Sequence, residues 1–142
     1  MTMQLLLEGT AGLFLEERHL IAPGQRLIVG RSRSCDLSAA STRIACERGR
    51  AALETDRAFR RISRRHFAIC HEPAGRIIVE DLSTNGVKVA GRLVSRAVFT
   101  LDDLRDDPVA IVFGEREGVR LRVIAFAADV EPASESTGAS RR

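Results

Sequence analysis

The sequence predicts an all-β fold, a sandwich of two mostly antiparallel sheets, on two observations. Short apolar, β-branched runs recur along most of the chain, and clusters of turn-forming residues separate them. The runs fall at residues 4–7, 13–15, 26–29, 67–70, 76–80, 87–89, 109–113 and 119–126.

Taken in order, the first two runs, 4–7 and 13–15, are Leu-rich and are read as strands from this recurrence. The third, 26–29, follows Pro23-Gly24, a pair that turns the chain sharply. Runs 67–70 and 76–80 flank Pro73-Ala74-Gly75 and are read as neighbouring strands. Asn85-Gly86, between apolar runs, is the strongest short hairpin signal and places a corner before 87–89. The last two runs, 109–113 and 119–126, are separated by Gly114 and Gly118.

One stretch breaks the rhythm. Residues 38–61 show no strand-like alternation, and their centre, 46–59, is rich enough in Ala, Glu and Arg for a short helix that Gly49 weakens. The region is read as a partly helical insert, since a structureless connection of that length is uncommon in a compact domain. Residues 131–142 have no apolar side chain larger than Ala and are expected to be disordered, leaving one domain at 1–130.

Composition narrows the class. The formal charge is +3, yet residues 30–65 alone carry ten Arg against four acids, an asymmetry that marks a surface meant for an anion. All but one of the 22 basic residues are Arg, whose planar fork suits bidentate phosphate binding. Cys35, Cys46 and Cys70 are odd in number and form no paired metal or redox motif. No apolar run approaches the roughly 20 residues that span a bilayer, so no membrane insertion is expected. A reducing cytoplasm is the expected compartment. The three histidines show no ligand spacing with the cysteines, so neither metal nor other cofactor is expected.

Four signatures then occur in a fixed order, each where a strand meets a loop: Val29-Gly30-Arg31, Ser63-Arg64-Arg65-His66, Asp81-Leu82-Ser83-Thr84-Asn85-Gly86 and Val112-Phe113-Gly114. The series resembles the forkhead-associated (FHA) domain family, whose pattern runs Gly-Arg, Ser-x-x-His and a Ser/Thr-x-Asn-Gly turn across a β-sandwich. That resemblance implies a non-catalytic module that binds phosphothreonine in a partner protein or peptide, such as the substrate of a Ser/Thr kinase. It implies that Arg31 and Ser63 hold the phosphate, with the Ser63 amide as an added donor and Arg64 as a second cation. By the same resemblance Thr84 would line the pocket and Asn85 would bond the ligand backbone. His66 would hold the serine loop, while Gly30 and Gly86 are expected to serve tight turns. From charge and proximity, Arg60 and Arg61 are assigned to an acidic side chain after the phosphothreonine. Where the family commonly continues with Thr and a later Asn-Gly, this chain has Val87 and Ala90-Gly91.

Other readings are weaker. An interaction domain with degenerate phospho-recognition shares the same fold. Cys70 and Arg76 spell the Cys-x5-Arg of a phosphatase loop, but that loop needs a helix after the arginine, and here a strand is expected. Nucleic-acid binding through the Arg-rich insert lacks aromatic partners, since the chain has no Trp or Tyr.

Overall fold

In the computed structural model, which describes residues 2–126, alternation along each strand sets the layers. The expected disordered tail at 131–142 lies outside the described residues. In chain order the elements are β1 (Thr2–Ala11), β2 (Arg18–Ile21), β3 (Arg26–Gly30), β4 (Leu37–Ser38), α1 (Arg43–Arg48), α2 (Arg50–Glu54), α3 (Arg57–Arg60), β5 (Phe67–His71), β6 (Arg76–Asp81), β7 (Val87–Val89), β8 (Arg92–Val94), β9 (Arg96–Thr100), α4 (Leu101–Asp106), β10 (Val109–Phe113) and β11 (Glu117–Phe126). They build a six-stranded sheet, β2-β1-β11-β10-β7-β8, facing a five-stranded sheet, β4-β3-β5-β6-β9. All strand pairs are antiparallel except β3 with β4. The fold is the expected β-sandwich.

Every second residue of the central strands points inward. Leu5 and Leu7 of β1, Val119 and Leu121 of β11, and Ile111 and Phe113 of β10 meet Leu27, Val29, Phe67, Ile69, Ile77 and Val79 of the other sheet in one continuous core. Phe113 is its aromatic centre, with ring centroids 5.4 Å from Phe14 and 4.9 Å from Phe67. β1 and β11 run the length of the sandwich side by side, from the pair Thr2 and Phe126 at one end to Ala11 and Gly118 at the other.

Several local expectations are corrected. Residues 13–15 are not a strand: Gly12–Phe14 form a single 3-10 turn that buries Leu13 and Phe14. Strands β2, β4, β8 and β9 and helix α4 were not expected; Thr100 and Asp103 cap α4 reciprocally. Asn85-Gly86 is not a hairpin corner, because β6 pairs with β9 in one sheet while β7 pairs with β8 and β10 in the other. The chain crosses between layers there. The two-residue hairpin is instead at Ala90-Gly91, where φ is +52° and +81°, as a type I′ turn requires.

The insert is helical but divided into three single turns. Gly49 adopts φ +89° and parts α1 from α2, while Asp56 caps α3 by accepting the Ala58 and Phe59 amides. Helices this short are not stable alone. These persist because Ala45, Leu53, Phe59 and Ile62 join the sandwich core.

Candidate functional site

Three loops meet at one end of the sandwich, and backbone hydrogen bonds fix their spacing. The β3–β4 loop lies against the segment after α3: the Arg31 amide donates to the Ser63 carbonyl at 2.9 Å and the Ser32 amide to the Arg64 carbonyl at 3.1 Å. A Cβ on Gly30 would lie 2.3 Å from the Arg64 carbonyl oxygen. Gly30 therefore serves close backbone approach within β3 rather than the expected tight turn. Gly86 does hold a turn, at φ +93°.

His66 joins the second loop to the third. Its ring is fully buried and packs on Phe113 with centroids 5.1 Å apart. The Ser63 amide donates to Nδ1 at 3.0 Å, and Nε2–H donates to the Gly86 carbonyl at 2.9 Å. Those partners require the neutral tautomer protonated at Nε2. Burial pushes the imidazole pKa below its usual value, against the raising effect of the Gly86 contact, so the ring stays neutral. The Ser63 amide is thereby engaged, which corrects its expected use as a phosphate donor.

The Ser63 hydroxyl has a different fate. Its Oγ accepts the Thr84 amide at 3.2 Å, leaving the O–H proton free to donate outward. Asn85 is exposed; its Nδ2 donates to the Arg61 carbonyl at 3.1 Å, and its Oδ1 stays open as an acceptor. Asp81 and Ser83, to which the resemblance assigns no role, wire the third loop. The Asp81 carboxylate accepts from the Ser83 amide at 2.9 Å and hydroxyl at 2.6 Å, and Ser83 Oγ accepts the Gly86 amide at 2.7 Å. An Asp two residues before a Ser is the local signal for such a turn.

Arg31 is half-buried, and its Nε is buried with no hydrogen-bond partner. Arg64 is exposed, its carbonyl accepting the Cys35 S–H at 3.0 Å. Arg60 is exposed as well. Arg61 is drawn to the β10–β11 turn, 3.2 Å from Glu115, so of the two expected specificity arginines it is the one already occupied. Cys70 and Arg76 lie on the β5–β6 hairpin, where Arg76 holds Glu72 at 2.8 Å; no helix follows. Among the described residues no His, Cys, Asp and Glu gather as a metal site, and no helix is long and apolar enough to cross a membrane.

A rigid β-sandwich that presents an arginine, a hydroxyl and an amide from three loops at one end defines a loop-borne recognition scaffold. The FHA domain model matches residues 27–114, and the chain belongs to that family. Solved FHA structures share its fold. One from Arabidopsis thaliana superposes with TM-score 0.62 at 19% identity, covering 94% of this chain and 92% of its own. One from Chlamydia trachomatis gives 0.59 at 20%, covering 87% and 99%. The N-terminal FHA domain of Rad53p from S. cerevisiae, solved with a phosphothreonine peptide, gives 0.56 at 15%, covering 85% and 94%. No curated protein sequence matches the chain.

Proposed function

We propose that this chain is a non-catalytic phosphothreonine-binding module that brings a phosphorylated partner to its own protein in signal transduction. The observation that carries the reading is the Arg31 guanidinium, whose buried Nε has no partner among the described residues. A buried donor without an acceptor is costly, and a phosphate oxygen removes that cost. The Ser63 O–H supplies a second donor and Arg64 a further cation, while Thr84 lines the pocket beside the threonine methyl. Asn85 orients the ligand main chain through its open Oδ1. Two or three charge-assisted hydrogen bonds at about 1.5–3 kcal/mol each supply most of the roughly −8 kcal/mol of micromolar binding, before ordering costs. The complex named for the S. cerevisiae domain supports the same ligand class. The three free thiols fit a reducing cytoplasm.

The test is direct titration with one peptide carrying phosphothreonine, phosphoserine or threonine. The phosphothreonine form is expected to bind tightest, and Arg31→Ala and Ser63→Ala to weaken it by about tenfold to a hundredfold each. Equal affinity for the unphosphorylated peptide overturns the assignment.

A further inference from the structure

The ten arginines of residues 30–65 divide into two equal sets. Arg43, Arg48, Arg50, Arg57 and Arg61 are each ion-paired, to Glu16 and Glu47, Asp56, Glu54, Glu115 and Glu115 respectively. Arg31, Arg33, Arg60, Arg64 and Arg65 form no ion pair among the described residues; they border the phosphate loops. Four of the paired set, Arg43, Arg48, Arg50 and Arg57, lie in the insert's helices with an acid one turn away or on a neighbouring element, so pairing was sterically open to arginines in this region. The nearby loop acids are turned elsewhere: Asp36 accepts the Ile28 amide at 2.8 Å and Asp81 serves Ser83.

Five unpaired guanidiniums exceed what one phosphate satisfies, since phosphothreonine carries about −1.5 to −2 charge and three acceptor oxygens. Arg33, Arg60, Arg64 and Arg65 are exposed, and Arg31 is half-buried. Arg31 and Arg33 alternate along one loop, and Arg64 and Arg65 are adjacent on the segment beside it. We propose that the ligand is a phosphothreonine set among further anionic groups, acidic side chains or a second phosphate, and that Arg33, Arg60 and Arg65 read those flanking charges. This rests on the phosphothreonine reading above and adds the class of sequence that surrounds the phosphorylated residue.

The experiment is fluorescence anisotropy with the whole chain and four probes: a phosphothreonine peptide with neutral flanks, the same peptide with flanking Glu, the same with a second phosphothreonine, and a single-stranded oligonucleotide of matching charge. Flanking anions are expected to tighten binding by about tenfold, more at low salt, and Arg33→Gln/Arg65→Gln is expected to erase that gain while changing neutral-flank affinity less than about twofold. The Glu and second-phosphate probes distinguish the two sources of charge; a gain with either sustains the proposal. No gain from either, or a gain that survives the double variant, overturns it while neutral-flank binding keeps the phosphothreonine reading. Loss of neutral-flank binding in the parent chain instead overturns that underlying reading. An oligonucleotide that binds as tightly as the acidic phosphopeptides overturns the proposal in favour of a nucleic-acid surface.

Discussion

The insert and the phosphate loops are neighbours of similar composition, and they treat charge in opposite ways. In the insert, Asp56 gathers Arg48 at 2.8 Å and Arg116 at 2.7 Å while capping α3, and Glu115 reaches both Arg57 and Arg61. Burial pushes the Asp56 carboxyl up, but hydrogen bonds from Arg48, Arg116 and the α3 amides outweigh it and hold the pKa at about 2. Across the Arg61–Asn85 contact, the loops keep their arginines unpaired and one guanidinium nitrogen buried without a partner. One region uses charge to fasten helical turns onto a sandwich. The other tolerates repulsion and unsatisfied donors, the cost a binding surface carries when its ligand is absent.

Substitutions should separate the two regions cleanly. The largest effect is expected where two of the phosphate loops approach each other: Gly30→Ala drives a methyl into the Arg64 carbonyl and should destabilise by about 3 kcal/mol, lowering the urea midpoint and ligand affinity together. Asp56→Ala removes the cap and both arginine partners, and a loss of about 1–3 kcal/mol in urea denaturation is expected. By contrast, Arg31→Ala should leave Tm within about 2 °C while phosphopeptide binding collapses; a comparable loss of stability would make Arg31 a structural residue.

A pH titration sharpens the comparison further. Because the folded pKa of His66 lies below its ordinary 6.5, the unfolded chain takes the proton first. Stability is then lost as pH falls below about 6.5, by at most about 1.4 kcal/mol per unit. Protonated Nδ1 also turns a donor against the Ser63 amide. Buried Glu117 works in the opposite direction, since burial raises its pKa and stability returns as pH falls toward its ordinary 4.5. Measured in a Glu117→Gln background, urea stability should therefore decline between about pH 7 and pH 5; a flat profile would show that His66 accepts a proton without disturbing the loops. The smallest effect lies outside both regions. Ala90→Asn should relieve the positive φ of the β7–β8 turn and raise stability by about 0.5–1 kcal/mol without altering binding.

The sequence made the central strands and the loop motifs legible because both are local: inward alternation in 67–70 or 109–113, and Gly30-Arg31 or Ser63-x-x-His66 at strand ends. What escaped it depends on distant partners. Asn85-Gly86 reads as a hairpin from its own residues, yet β6 finds β9 across the sheet. β8 and β9 are edge strands whose exposed Arg92, Leu93, Arg96 and Val98 mask the apolar period. Pairs such as Arg43 with Glu47 follow from helical spacing, whereas Arg61 with Glu115 and Arg116 with Asp56 join residues more than fifty apart. Hence Arg61 reads as a free specificity residue until the β10–β11 turn is seen beside it.

The pairing of β1 with β11 has a practical meaning. Thr2 and Phe126 stand together, about 30 Å along the strands from the β10–β11 turn that touches the insert. β1 begins and β11 ends at that far end, as a cable leaves the back of a plug, so the arginine loops face away from the point where the described strands enter and leave the sandwich. A surface anchor placed at either of these strand ends thus leaves the recognition loops open to a ligand in solution.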